Sequence, residues 1–542
     1  MSEPTAPQKR AAHPDFVPTF SLDALQARLP LPFPVPEEVP PSPKEQYRSR
    51  YRYLGYEALA DPAVLKRLSP FEVALHLIDF APLRDYLAAH YYAGGTRGQV
   101  PFDPVSLFLC LCLRREWHLS WRALAQLLAG EHGAGWRRLF GFQEGETPSA
   151  AGLRYFFNTL GPAVFDELCP LFIDLLHEAG LLPKQSTFPG DPPGRGVTLS
   201  RDLMLHAARA NMRCTQVTDT CYQPAPRPCP AREGPESPFR AQRGCACDGE
   251  ACAQVCRRAT PLDPEARYIH YTGRNKHAHE QAPNKGRDVY GYASIPDRLL
   301  DDRFACAWTV RTGLEPANMD ERHVFPRTFA YLRERFPDLA IGEVLADAAL
   351  GYRDCLDPIW EAGALRMVDI RAAAGDEDPA VQWRRGYDAQ GHPLCLHGYP
   401  MRSNGHDYAK RRTKWCCEQV CLSGRAAPVG AKPPHPAPDC PYQAPEHRHG
   451  QVVNVGRTLP GGRGRLAREV PYGTVRWKRR YGRRNLSESR NGSLENMGLK
   501  RLPDFGLGRN GKEIAVADFL VNLQTLGRLV QEATTLARKA GA

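Results

Sequence analysis

The pattern of apolar residues changes once along this chain, and that change limits what it can fold into. Between residues 70 and 180 apolar positions recur at helical spacing in PFEVALHLIDFAPLRDYLAAHY, DPVSLFLCLCLRREW, SWRALAQLLAG, SAAGLRYFFNTL and GPAVFDELCPLFIDLLHEAG. Breaks fall at Gly and Pro, and Asp103, Ser120 and Ser149 stand where helix N-caps belong. Short helices joined by short turns suit a helix-turn-helix unit on DNA or a plain helical bundle. After the linker FPGDPPGRG the pattern turns to short β-like runs mixed with helices. GVTLSRD reads as a strand ending at Asp202, and RDVYGYASI and FACAWTVRT as two more, paired as a hairpin. ERHVFPRTFAYLRERF reads as a helix, EVLADAAL as a buried strand ending near Asp347, YRDCLDPIWEAG as a helix and ALRMVDI as a strand. Strand-then-helix alternation of this kind predicts an α/β sheet.

The rest of the chain arranges itself around that sheet. Residues 1–46 are polar and proline-rich and predict an extended or flexible arm. Residues 47–185 form the helical domain. Residues 195–371 and 474–542 form the α/β domain, interrupted by cysteine-bearing insertions at 203–285 and 372–473. The segment EIAVADFLVNLQTLGRLVQEATTLARK predicts an amphipathic helix whose apolar face covers the sheet.

Charge and cysteine usage narrow the function. Residues 451–542 carry 18 Lys/Arg against 7 Asp/Glu, which accounts for the whole net charge of +11. A positive field concentrated in one region favours a polyanionic partner. No run of about 18 apolar residues occurs, so no membrane span is expected. The start, MSEPTAPQKR, has no apolar core of a secretory signal, which points to the cytoplasm. There, 17 cysteines are better explained by metal ligation than by disulfides.

Within the basic region, RRYGRRNLSESRNGSLENMGLK (479–500) isolates one carboxylate, Glu488. Read as a helix, Tyr481, Arg484 and Glu488 fall at i, i+3 and i+7, on one face. A lone acid on a basic helix face is ordinarily a solvated ion pair, and a lone Asp at a strand end is ordinarily a turn or cap residue. Together, Asp202, Asp347 and Glu488 make a three-carboxylate site. Such acids repel one another unless divalent cations neutralise them, and hard oxygen ligands select Mg²⁺ or Mn²⁺. Two such ions can drive phosphoryl transfer. Asp219, in QVTDTCY, is the rival of Asp202 for the first acid; Asp202 is preferred because it directly follows the linker and a β-rich run.

VLADAALGY around Asp347 and the Tyr-x2-Arg-x3-Glu pattern at Tyr481, Arg484 and Glu488 resemble the DDE transposases of bacterial insertion sequences. The resemblance runs from about residue 70 to about 530. It implies an RNase H-like catalytic domain with a mixed sheet and flanking helices, and a DNA-binding role for the N-terminal helices. It also implies that Asp202, Asp347 and Glu488 ligate two Mg²⁺ (or Mn²⁺) ions, and that Tyr481 and Arg484 contact phosphates near the transposon end. Arg480 and Lys500 are added as basic DNA contacts of the same stretch. The implied partners are double-stranded DNA, at the element's ends and at the target, and further copies of the chain assembled on it at the nucleoid. Two positions depart from the family pattern. Leu203 follows Asp202 where Gly is frequent, and Glu495 stands where a Lys is expected, the next Lys being Lys500.

The cysteines form two groups. Cys245, Cys247, Cys252 and Cys256 are spaced Cys-x-Cys-x4-Cys-x3-Cys, close enough to wrap one tetrahedral Zn²⁺. Cys417, Cys421 and Cys440, with His447 and His449 nearby, make a weaker zinc set. Unliganded, reduced thiols are the ordinary alternative for both.

Overall fold

The structure is a computed structural model that describes residues 47–91, 100–209, 263, 265–271, 287–371, 373, 375–419, 440–459 and 464–541. The arm at 1–46 lies outside them. The chain is mixed α/β, with several sheets and many helices. Among the described residues no helix is long and apolar enough to cross a membrane.

The N-terminal part is helical, as its periodicity predicts. The helices are α1 (Pro62–Arg67), α2 (Pro70–Leu77), α3 (Leu83–Tyr91), α4 (Pro104–Glu116), α5 (Trp121–Ala129), α6 (Ala134–Phe140), α7 (Ala150–Thr159), α8 (Pro162–Asp166) and α9 (Leu168–Glu178). All three expected caps are present. Asp103 accepts from Val105 N at 3.0 Å, Ser120 from Ala123 N at 3.1 Å and Ser149 from Gly152 N at 3.1 Å. Each satisfies a backbone donor that the first helical turn leaves open.

The following strands are β1 (Val197–Arg201), β2 (Met204–Ala207), β3 (Arg267–Tyr271), β4 (Arg287–Ser294), β5 (Asp297–Asp301), β6 (Cys306–Arg311) and β7 (Leu314–Pro316). Helix α10 (Glu321–Arg335), β8 (Ile341–Ala346), α11 (Arg353–Glu361) and β9 (Leu365–Val368) come next. The main sheet has the order β6-β5-β1-β8-β9. β1 is parallel to β8 and β8 to β9, whereas β5 is antiparallel to both β1 and β6.

Two sequence expectations need correction. The run RDVYGYASI is not the second strand of the main sheet. As β4 it pairs with β2, β3 and β7 in a separate four-stranded sheet, so the ends of the 203–285 segment that are described are themselves strands. The hairpin partner of FACAWTVRT is instead DRLLD, β5, which the pattern reading missed because acids and an arginine interrupt its apolar residues. Those charges are buried with partners. Asp297 accepts two bonds of 2.9 Å from Arg201, and Asp301 pairs with Arg303 at 2.8 Å. Pro296 separates the two runs and lets the chain cross from one sheet to the other.

Residues 375–470 hold α12 (Pro379–Arg385) and a three-stranded sheet of β10 (Arg402–Asp407), β11 (Arg412–Cys416) and β12 (Val452–Val455). This sheet has its own small core of Tyr387, Tyr399, Met401, Trp415, Val455, Leu459 and Leu466. The chain then forms α13 (Val475–Tyr481), α14 (Asn485–Asn496) and the long α15 (Leu507–Gly541).

Helix α15 does more than cover the sheet. It packs on edge strand β6 on one side and against α2, α4, α8 and α9 on the other. Asn522 donates to Thr309 O and accepts from Thr309 N, both at 2.8 Å, so it satisfies the open side of that edge strand. Phe519 packs between Phe108 and Phe172, with ring centroids 5.7 and 5.9 Å away. The N-terminal helices therefore share one hydrophobic core with the sheet. At its centre Glu513 pairs with Arg114 and, at 2.9 Å, with Arg115, all nearly solvent-free. Lys512 Nζ donates to Phe157 O at 2.6 Å and Leu160 O at 3.0 Å, closing the end of α7.

Removing the shared carboxylate strands two buried guanidinium groups. We expect Glu513→Ala to lower stability in urea unfolding by about 3–5 kcal/mol, with Glu513→Gln intermediate.

Candidate active site

The geometry of the site begins with strand direction. β1, β8 and β9 are parallel neighbours, so their C-terminal ends lie on one edge of the sheet. Ser200 is in register with Leu345 and Ala346 with Val368. Continuing both registers sets Asp202, Asp347 and Asp369 level with one another across three strands that are about 4.8 Å apart. Parallel pairing thus gathers acids that lie far apart in sequence.

Each acid is held differently. Asp347 accepts from Ala349 N at 2.8 Å as the cap of a single turn, Ala348–Leu350, and is the turn residue that its position suggested. Burial pushes its carboxyl up, with Asp202 and Asp369 adding to the shift against the opposing pull of Ala349 N and Arg484. Asp369 accepts from Ile370 N at 3.0 Å and from the hydroxyl of Tyr472. Asp202 accepts from Arg484 Nη2 at 2.6 Å on one oxygen and from Asn491 Nδ2 at 2.7 Å on the other. Glu488 is half-exposed, with its Oε1 3.7 Å from the same Arg484 Nη2.

The basic stretch is not one helix. α13 ends at Tyr481, a single tight turn spans Gly482–Arg484, and α14 carries Glu488 and Asn491. The break still leaves Arg484 beside Glu488. α13 is fixed from below by Glu343 of β8, which is fully buried. Arg480 donates to Glu343 at 3.0 and 2.9 Å, and Arg483 donates to it as well. Arg480 also pairs with Asp191 of the linker at 2.6 Å, and Phe188 lies 4.4 Å from both guanidinium carbons. Burial opposes ionisation of Glu343, but the two arginines outweigh it and hold the carboxyl below its ordinary value.

These contacts correct one expected DNA contact. Arg480 is 1 % exposed and engaged by two carboxylates, so it anchors α13 to the sheet and does not face a ligand. Lys500 is exposed and pairs with Glu495 at 2.9 Å. Tyr481 is half-buried and stacks on Trp477 at 4.4 Å, with the rings 15° from parallel. Burial pushes its hydroxyl well above the ordinary tyrosine value. Arg484 is mostly buried. Burial works against its charge, but Asp202, Tyr481 and Asp347 more than compensate and raise its basicity.

Three residues of the site escaped the sequence reading. Asp369 ends ALRMVDI as Asp347 ends EVLAD, and that repeat of strand-then-Asp is a signal within the sequence. Glu321, in the first turn of α10, is buried and is pushed up from 4.5 to about 7, first by burial and then by Asp347. Asn491 lies three residues beyond Glu488 on the same helix face. Nothing local marks either of these two.

The donor chemistry of Asp202, Asp347 and Glu488 suits a hard divalent cation. As described, however, the guanidinium of Arg484 stands between Asp202 and Glu488. Among the described residues no three His, Cys, Asp or Glu side chains are gathered at metal-ligand spacing. Asp219, Cys245, Cys247, Cys252, Cys256 and Cys421 lie outside the described residues. Cys417 is buried, its Sγ accepting from Gln451 N at 3.1 Å, and Cys440 begins a short turn at 441–443. Compared with protein-family models, with curated proteins and with solved structures, the chain matches none.

Glu321 gives a pH test. With its folded value near 7 above its ordinary 4.5, the folded chain binds the extra proton between those pH values. Stability therefore falls as pH rises through that window, by up to about 3 kcal/mol. Glu321→Gln should match the wild type in urea unfolding at pH 4.5 and exceed it at pH 8.

Proposed function

We propose that this chain is a DNA transposase of the DDE type, acting through Asp202, Asp347 and Glu488. The observation that carries the reading is the level placement of Asp202 and Asp347 on adjacent parallel strands, with Glu488 linked to Asp202 through Arg484. The strand order β6-β5-β1-β8-β9, with the first three antiparallel and the last three parallel, supports the RNase H-like sheet that the resemblance implies. That likeness speaks for phosphoryl transfer on nucleic acid, although a fold alone does not fix a reaction.

In this reading Asp202, Asp347 and Glu488 are the residues that hold Mg²⁺ or Mn²⁺. When bound, the ions supply an activated water and stabilise the leaving oxygen. The chain's own residues orient the scissile phosphate. Tyr481 and Arg484 face the acids from α13 and the turn after it, and Lys500 and the exposed arginines of this region draw in the phosphate backbone. Asp369, level with Asp347 on the next parallel strand, adds a further carboxylate beside the site. Cleavage frees a 3′-hydroxyl, which then attacks target DNA at the same centre, on a homo-oligomer that pairs two ends. The N-terminal helices supply contacts to the terminal repeats, and the cysteine groups 245–256 and 417–440 are proposed to hold Zn²⁺. The chain acts at the nucleoid.

The test is cleavage of a plasmid carrying the DNA that flanks the gene, by wild type, Glu488→Gln and Asp347→Asn, with Mg²⁺ and with EDTA. Cuts at the element's ends by wild type and Mg²⁺ alone are expected, with each variant down by about 100-fold or more while DNA binding is retained. Cutting that survives in Glu488→Gln removes Glu488 from the mechanism. Salt-sensitive binding without cutting by the folded wild type assigns the chain as a DNA-binding relative of transposases.

Arg480→Ala separates structure from binding. It should lower thermal stability markedly, because Glu343 loses a buried partner, whereas Lys500→Ala should leave unfolding unchanged and weaken DNA binding at low salt.

A further inference from the structure

A cavity of about 650 Å³ lies where the N-terminal helices meet the sheets and the start of α15. It is as large as an ordinary small-molecule site and shares no residue with the carboxylate site at Asp202 and Asp347. Four acids line it, and two of them are already engaged. Glu265 accepts from Leu507 N, at the first residue of α15, at 2.6 Å, and Glu315 pairs with Arg327 at 3.3 Å. The arginine in the lining, Arg311, faces buried Asp297 at 3.3 Å. Asp166 and Glu167 are left. Among the described residues neither carboxylate takes a hydrogen bond or an ion pair, and Glu167 makes no cap bond to the helix it precedes. Burial pushes the Asp166 carboxyl up against the pull of Arg311, with Glu167 adding to the rise. A chain of net charge +11 thus keeps two unanswered carboxylates beside an open cavity.

The walls suit the body of an organic cation. Tyr86 of α3 and Tyr331 of α10 bring aromatic rings to the cavity, and Val164, Leu314 and Leu507 bring aliphatic surface. An aromatic face attracts an ammonium group, and an aliphatic wall covers methylene groups. A glycine keeps the space open. Gly511 lines the cavity from within α15, where glycine is among the poorest helix formers, yet a Cβ added there meets nothing within 4 Å. Packing against neighbours therefore does not require glycine at this position, and a side chain there would project into the cavity. We propose that the cavity binds an aliphatic polyamine, with ammonium groups at Asp166 and Glu167 and the methylene chain against the tyrosine and aliphatic walls. Such a ligand touches α3, α8, β7 and α15 at once and so fastens the helical region to the sheets. Binding here needs neither the carboxylate site nor DNA.

The test is calorimetric titration of the full-length, DNA-free protein with spermidine at physiological ionic strength, where loose surface attraction is screened. Wild type should bind, and spermidine should raise its melting temperature. Asp166→Asn combined with Glu167→Gln should weaken binding by about tenfold or more, because charge-assisted bonds are lost. Gly511→Leu removes no charge but fills the cavity. It should also lose binding while folding at least as stably as wild type, since leucine is the better helix former. Glu131→Gln with Glu144→Gln, at exposed acids outside the lining, should bind as wild type does. If the Asp166 and Glu167 double variant does not fold, Gly511→Leu decides alone. No binding by wild type at millimolar spermidine overturns the proposal. So does binding that survives in folded Gly511→Leu, which assigns the ligand to the outer surface.

Discussion

Glu343 is the residue on which the arrangement of the site depends. It is buried in the middle of β8 and held by Arg480 and Arg483 from the start of the C-terminal basic region. Replacing a buried ionic cluster of this kind with well-packed apolar residues is often neutral for stability, but breaking it is costly, because a charge is then left without a partner. Its value here lies in register. It locks α13 over the sheet, and because Arg484 follows Arg483 directly, it also fixes where the Arg484 guanidinium meets the acids.

A second layer of buried charge ties the halves of the protein together. Glu513 of α15 pairs with Arg114 and Arg115 of α4, and Asp518 one turn later pairs with Arg490 of α14 at 2.6 Å. Arg490 in turn donates to Ser294, the last residue of β4, at 2.9 Å. Helix α15 thus carries apolar contacts to the N-terminal helices and polar contacts to the helix that bears Glu488.

The electrostatics of the site divide its acids. Lost solvation and mutual repulsion raise the proton affinity of Asp347 and Glu321. Asp202 and the exposed Glu488 are the two acids that Arg484 approaches. Raised proton affinity relieves the repulsion at Asp347 and Glu321, and Arg484 offsets Asp202 directly.

Much of this was readable from the residues. Helical spacing and the caps at Asp103, Ser120 and Ser149 marked the N-terminal helices, since those signals are local. Strands ending at Asp202 and Asp347 were readable because their apolar runs stop at an acid. The strand DRLLD was not readable, because its charges are hidden by pairing with distant Arg201 and with Arg303, and a pattern of hydrophobicity cannot register that. The partner of RDVYGYASI was likewise a matter of long-range register. Arg480 looked like a solvent-facing DNA contact because composition does not reveal which face of a helix is buried. By itself the sequence determined the succession of helices and strands, the basic C-terminal region and the acids at two strand ends. Only the tertiary structure decided that parallel pairing sets Asp369 beside those acids, that Asn491 and Glu321 join them, and that Arg484 stands among them. The contacts of Asp202 with Arg484 and Asn491 join residues more than 280 positions apart, and even Asp347 and Asp369 meet only through strand register, so no local window of sequence contains their energies.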